Sequence, residues 1–207
     1  MVLPRLYAIV DVSCFTPQER TAGVIVDYAR RLAAGGATLI QYRDKMGHTR
    51  EMLGRARELR RVLADDVTLV MNDRADLCLA AGYHGLHVGT DDLTPNSARA
   101  IIGPNAILGV STHNLEQVLQ ADSSAADYIA FGPIFLTHSK ERPDPVVGLD
   151  MLRQARSATR KPLVAIGGVT RANARAVMAA GADSVAIISD LLESPREAAE
   201  ELLRLLV

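Results

Sequence analysis

The stretch PLVAIGGVTRANARAVMAAGADSVAIIS, residues 162–189, carries the reading that decides the fold. It opens on an apolar run from Pro162 to Gly168, passes through a helical pattern over 170–180, and closes on a second apolar run over 184–189. Strand, helix and strand in so short a span form the repeating unit of a parallel sheet. The helix ends in Ala179-Ala180-Gly181. Glycine suits that place because the residue after a helix often takes a positive φ, which costs little without a Cβ. The same punctuation recurs at Ala33-Ala34-Gly35 and Ala80-Ala81-Gly82. Outward from this unit, further strand patterns fall at 6–11 (LYAIVD), 38–43 (TLIQYR), 68–73 (TLVMND), 85–89 (GLHVG), 106–112 (AILGVST) and 128–133 (YIAFGP). Helical periodicity fits between them, for example over 18–34, 49–64 and 195–206. The count is about eight strand–helix units, which predicts an α/β protein of the closed (β/α)8 TIM-barrel kind. The strands are almost continuously apolar, as strands covered on both faces should be. An open doubly wound sheet is the competing arrangement, and the spacing is too irregular for a solenoid.

The whole chain, 1–207, reads as one barrel domain with no linker or low-complexity run, and its 207 residues suffice for a full core. With 23 basic against 24 acidic residues and a net charge of -1, an extended polyanion such as nucleic acid is not the expected partner. Cys14 and Cys78 stand far apart in no metal-binding spacing, which argues against a disulfide framework and fits a reducing cytoplasm. No apolar run approaches the roughly 18 residues of a membrane helix, and Met1 to Arg5 lead straight into a strand, so no signal peptide is expected. A homo-oligomer is compatible with all of this.

In such barrels the site lies at the C-terminal ends of the strands. Here those ends are polar: Gln41-Tyr42-Arg43-Asp44-Lys45, Asn72-Asp73-Arg74, Gly89-Thr90-Asp91-Asp92, Ser111-Thr112-His113 and Ser189-Asp190. Asp73 and Asp92 would stand on neighbouring strands at one rim. Hard oxygen donors without His or Cys suit Mg²⁺ completed by phosphate and water. The same residues also read as an ion-pair partner for Arg74 or a second-strand cation, and as helix caps at Asp91 and Asp92. Asp44 and Asp76 read as surface charges or ion-pair partners. Arg43, Lys45 and Lys140 would converge on that rim, where cations beside a carboxylate-held metal suit a diphosphate; salt bridging within the rim is the alternative. Gly167-Gly168 and Ile188-Ser189 occupy the place where many barrels bind a monophosphate through backbone N–H groups, although Gly-Gly also serves tight turns. Arg55, Arg57, Arg60 and Arg61 read as a solvated helix face, and His87 as a satisfied core histidine. No Ser–His–acid or Cys–His set is evident, which disfavours covalent catalysis. The loop 136–148 (LTHSKERPDPVVG) is long, polar and proline-bearing, and reads as a lid.

Taken in order, QYRDK (41–45), NDR (72–74), GLHVGTDDL (85–93), GVST (109–112), FGPIFLTHSK (131–140), VVGLD (146–150), AIGGV (165–169) and VAIIS (185–189) resemble the thiamine phosphate synthase family. The resemblance spans most of the chain. It implies a transferase of thiamine biosynthesis that joins hydroxymethylpyrimidine diphosphate to a thiazole phosphate and releases pyrophosphate, with Mg²⁺ as cofactor and two small phosphorylated substrates as partners. Carried over by position, Gln41, Tyr42, Arg43, Asp44 and Lys45 would meet the pyrimidine diphosphate, joined by Asn72, Ser111 and Lys140. Arg43 and Lys140 would stabilise charge in catalysis. Asp73 and Asp92 would hold the metal. Thr137, His138, Ser139, Gly168, Ile188 and Ser189 would meet the thiazole phosphate. The family mechanism is dissociative, so positioning and charge matter more than a protein nucleophile. The family usually has Thr-x-Thr-Lys in the lid, and Ser139 replaces the second Thr while keeping a hydroxyl. A related barrel, the thiazole tautomerase, is the alternative; its members carry a His where this chain has Pro133 and tend to lose the aspartate kept here as Asp92. A non-catalytic ligand-binding barrel is the third reading.

Overall fold

The computed structural model describes residues 1–63, 65, 67–137 and 144–207. Parallel strands follow one another around a closed barrel: β1 (Leu6–Asp11), β2 (Leu39–Arg43), β3 (Thr68–Asn72), β4 (Gly85–Val88), β5 (Ile107–Thr112), β6 (Tyr128–Phe131), β7 (Leu163–Ala165) and β8 (Ser184–Ile187). The last returns to the first, Tyr7 lying in register with Ala186. This closure gives the expected (β/α)8 barrel and excludes the open sheet. Around it run α1 (Ala22–Ala34), α2 (Thr49–Val62), α3 (Ala75–Ala81), α4 (Pro95–Ile102), α5 (Leu115–Asp122), α6 (Gly148–Ala158), α7 (Ala174–Ala179) and α8 (Pro195–Leu205). Among the described residues, no helix is long and apolar enough to cross a membrane.

The helix expected from residue 18 begins only at Ala22, because the Thr21 side chain accepts from Val24 N and caps it there. The one expected over 170–180 shrinks to α7, since Asn173 Oδ1 accepts from Thr170 N at 2.8 Å and holds residues 170–173 as a turn. The glycine punctuation is as expected in two of the three repeats. Gly82 and Gly181 have φ of 67° and 107°, but in the first repeat the positive φ falls on Gly36, at 93°. Gly35 serves close approach instead: a Cβ there would run into the Arg196 carbonyl and Ala199 of α8.

Strand residues alternate between the barrel interior and the helix layer. Tyr7, Leu39, Val70, Tyr128, Ala130, Val164 and Ala186 fill the interior, while Tyr42, Met71, Ile129 and Ala165 pack outward against helices. Gly109 faces Tyr128 in register on the neighbouring strand, and a Cβ on it would overlap the Tyr128 ring. The missing side chain lets that ring lie across the floor of the barrel.

Candidate active site

A cavity of about 690 Å³ opens at the C-terminal ends of the strands. Gln41, Arg43, Lys45, Asn72, Asp73, Asp92, Ser111, Thr137, Gly168, Ile188 and Ser189 all line it. The strand ends thus bring together most of the residues singled out from the sequence. His138, Ser139 and Lys140 lie outside the described residues, as does most of the expected lid.

Asp73, at the end of β3, has φ 59°. Aspartate tolerates this left-handed conformation better than most residues, and such conformations concentrate at functional sites. Its backbone N–H donates to the His87 carbonyl at 2.8 Å, and its Oδ2 pairs with Lys45 Nζ at 3.1 Å. Asp92 approaches from the β4 loop, where its Oδ2 accepts from Gly89 N at 2.9 Å. Burial raises the Asp92 carboxyl above its ordinary range, and the Asp73 carboxylate within hydrogen-bonding reach raises it further. Neither Asp91 nor Asp92 caps α4, because Thr94 does so by accepting from Ser97 N. Arg74 turns away to Asp76 at 2.6 Å.

Two neighbouring carboxylates with one ammonium beside them make a donor set that fits a hard dication. Among the described residues, no group of three or more His, Cys, Asp or Glu forms a metal cage. A cation held by Asp73 and Asp92 would therefore need its remaining oxygens from substrate and water.

Arg43 donates through Nη1 to Asp11 Oδ2, and Asp11 Oδ1 accepts from Ser13 N at 3.0 Å and Ser13 Oγ at 2.7 Å. Asp11 is 1% exposed, so it fixes the guanidinium at the cavity wall. Sequence reading passed over Asp11, although a charge closing the apolar run LYAIVD was the same signal that marked the other strand ends.

Two expected substrate contacts need correction. Tyr42 and Asp44 do not line the cavity. Gln41 and Arg43 face inward, so alternation sends Tyr42 outward, where its hydroxyl donates to Asp44 Oδ2 at 2.8 Å. Asp44 also accepts from Arg55 Nη1 at 2.8 Å, Met46 N at 3.0 Å and Gly47 N at 2.8 Å. It organises the loop that carries Lys45. Arg55 is accordingly no solvated residue: its side chain is 9% exposed and bonds the Arg20 carbonyl as well.

Along the floor of the cavity, with only Tyr128 of its members set below the lining, runs a line of polar contacts. Gln41 Nε2 donates to Tyr7 Oη at 2.8 Å, Tyr7 Oη meets Tyr128 Oη at 2.9 Å, and Tyr128 Oη meets His87 Nδ1 at 2.9 Å. His87 Nε2 meets Ser111 Oγ at 2.9 Å. Burial pushes both phenols far above their ordinary range, so both stay protonated. His87 is thus satisfied, as expected of a core histidine. Mid-strand tyrosines give no sequence sign of such pairing. At the other wall, His113 Nδ1 donates to the Gly132 carbonyl at 2.5 Å, and its Nε2 lies 3.3 Å from Asp144 Oδ2.

At the ends of β7 and β8, Gly167 and Gly168 have φ of 85° and 68°. A Cβ on Gly168 would come within 2.6 Å of the Leu136 carbonyl oxygen and 2.7 Å of Phe135 Cβ. Gly168 therefore lets the β6 and β7 loops pack together, besides leaving its backbone bare to the cavity.

Paired carboxylates, anchored cations and bare glycine backbone in the mouth of a (β/α)8 barrel define an enzyme for small phosphorylated ligands. Residues 6–191 match the model of the family described as thiamine monophosphate synthase. The thiamine-phosphate synthase of Koribacter versatilis is 59% identical over 99% of this chain and 96% of that protein. That of Chloroflexus aurantiacus is 44% identical over 89% and 83%. The structure of thiamine phosphate pyrophosphorylase from Pyrococcus furiosus superposes with a TM-score of 0.85 at 35% identity, covering 98% of this chain and 95% of that one. The chain belongs to the thiamine monophosphate synthase family. It is an enzyme, a group-transferring one of thiamine biosynthesis.

Proposed function

We propose that this enzyme condenses 4-amino-2-methyl-5-hydroxymethylpyrimidine diphosphate with 4-methyl-5-hydroxyethylthiazole phosphate, giving thiamine phosphate and pyrophosphate. The observation that carries the reading is the Asp73–Asp92 pair with Lys45 at its edge, facing a cavity that also holds Arg43 and Ser111. In this reading Gln41 meets the pyrimidine, while Arg43, Lys45, Asn72, Ser111 and Lys140 meet the diphosphate. Thr137, His138, Ser139, Gly168, Ile188 and Ser189 meet the thiazole phosphate. Mg²⁺ held by Asp73 and Asp92 would supply positive charge to the diphosphate.

The chemistry asks for bond heterolysis rather than a protein nucleophile. The methylene carbon–oxygen bond breaks with its electron pair leaving on pyrophosphate, and the thiazole nitrogen lone pair forms the new carbon–nitrogen bond. Arg43 is pre-placed by Asp11 and Lys45 by Asp73, so little reorganisation is needed as negative charge builds on the leaving group. Ile9, Ala130, Ile166 and Ala186 supply apolar lining to the cavity. Such lining keeps water from a pyrimidine cation that it would capture as the alcohol. Pro133 at the β6 end offers no base for a tautomerase.

Incubating the enzyme with both substrates and Mg²⁺ and identifying the product by mass spectrometry tests the proposal. Thiamine phosphate is the expected product. Isomerised thiazole phosphate alone would instead establish the tautomerase reading.

A further inference from the structure

We infer that Gln41, Tyr7, Tyr128, His87 and Ser111 form one directional hydrogen-bond chain that couples anion binding at Ser111 to recognition of an amino group at Gln41. The inference rests on the proposed pyrimidine diphosphate as occupant of the cavity. Gln41, Tyr7, His87 and Ser111 all touch the cavity, whereas Tyr128, which joins the two halves of the chain, lies below it. The contacts run without a break at 2.8, 2.9, 2.9 and 2.9 Å.

Each buried hydroxyl has one proton to place, and a buried polar proton without an acceptor is costly. The Gln41 amide nitrogen donates to Tyr7, so Tyr7 gives its proton to Tyr128. Tyr128 then donates to His87 Nδ1. That leaves the imidazole proton on Nε2, which donates to Ser111 Oγ. The serine's own O–H is then left to donate into the cavity, and Gln41 presents its carbonyl oxygen.

The other consistent state reverses every proton. Gln41 turns its amide over, Ser111 spends its proton on His87 Nε2, and Gln41 presents N–H to the cavity. With a neutral imidazole, any mixed state places two protons, or two lone pairs, in one buried contact. The chain therefore switches as a unit. A phosphate oxygen at Ser111 needs a donor and selects the first state, in which Gln41 accepts. A 4-aminopyrimidine satisfies that carbonyl. A 4-oxopyrimidine demands N–H from Gln41, reverses the chain and withdraws the serine proton from the phosphate. Tyr7, Tyr128 and His87 are positioning residues in this scheme.

The test is a double-mutant cycle on pyrimidine diphosphate affinity, with Gln41→Ala and Ser111→Ala made singly and together, in wild type and in Tyr128→Phe. Coupling of about fivefold or more is expected in wild type, and additivity within about twofold once Tyr128→Phe cuts the chain. In parallel, Tyr128→Phe should reduce the 4-amino over 4-oxo preference by about tenfold and leave the KM for thiazole phosphate unmoved. Tyr7→Phe is the second cut and should act alike should Tyr128→Phe fail to fold. Additive ends in wild type, or an unchanged preference in the cut variants, would overturn the inference and leave the proposed function standing. Failure of the wild type to bind pyrimidine diphosphate would overturn both.

Discussion

Asp44 separates a contact role from a structural one. Its carboxylate accepts from Tyr42, Arg55, Met46 and Gly47, and the Arg55 side chain it neutralises is 9% exposed. Asp44→Ala leaves that guanidinium its contacts with Glu51 and the Arg20 carbonyl, at 3.2 and 3.0 Å, but takes away its closest carboxylate and leaves a buried Tyr42 hydroxyl without its acceptor. Removing one partner of a buried ion pair typically costs about 3–5 kcal/mol. At about 2–4 °C per kcal/mol for a chain of this size, Tm should fall by about 6–20 °C. Scanning calorimetry reads that loss, and steady-state kinetics well below the transition reads the site. The KM for pyrimidine diphosphate should change by no more than a few-fold, because the Asp44 side chain does not line the cavity and reaches the diphosphate only through the loop that carries Lys45. Arg55→Met, on the far side of the pair, should give the same pattern. An Asp44→Ala enzyme with wild-type Tm and a KM raised about tenfold or more would refute this reasoning and return Asp44 to the substrate.

Asp92→Asn should abolish most activity yet stabilise the free enzyme. A raised carboxyl pKa means the native state holds the proton more tightly than the unfolded chain, so wild-type stability falls as pH rises from the ordinary carboxylate range through the raised one. The variant escapes that loss; exposure limits the gain at pH 7 to about 1 kcal/mol or less, and melting curves at pH 7 and at pH 3 should differ and coincide respectively. Gly109→Ala should displace the Tyr128 ring and cost about 1–3 kcal/mol in chemical denaturation, with loss of turnover. Ser189→Ala should raise the KM for thiazole phosphate by about tenfold or more, the worth of a hydrogen bond to a charged group, and spare that for pyrimidine diphosphate. Gly168 substitutions are poorer probes, because any Cβ strikes the Phe135–Leu136 backbone.

The fold was legible because buried parallel strands write themselves as short apolar runs, and β1 to β8 each match one. Much of the candidate site was legible for a related reason: Asp73 follows and Ser111 nearly ends a run that is otherwise buried, and Asp92 stands in the loop just after another. What escaped depends on direction and distance. Reading 41–45 as one contact block ignored the alternation that sends Tyr42 outward. Arg55 carries the same helical pattern as its exposed neighbours, and only the loop ahead of α2 supplies the carboxylate that buries it. Tyr7 and Tyr128 pair across 121 positions of sequence, and nothing in either strand marks the partner. Gly109 reads as a weak strand residue until the ring above it is seen.

The most direct test of the central claim is pyrophosphate release, followed continuously with each substrate alone and with both, in Mg²⁺ and in excess chelator. Release should need both substrates and the metal, and should fall by at least about tenfold in Asp73→Asn and in Asp92→Asn, since a bound metal supplies several kcal/mol of charge stabilisation. Full release in chelator, or undiminished release by both variants, would contradict a metal-assisted synthase at this site.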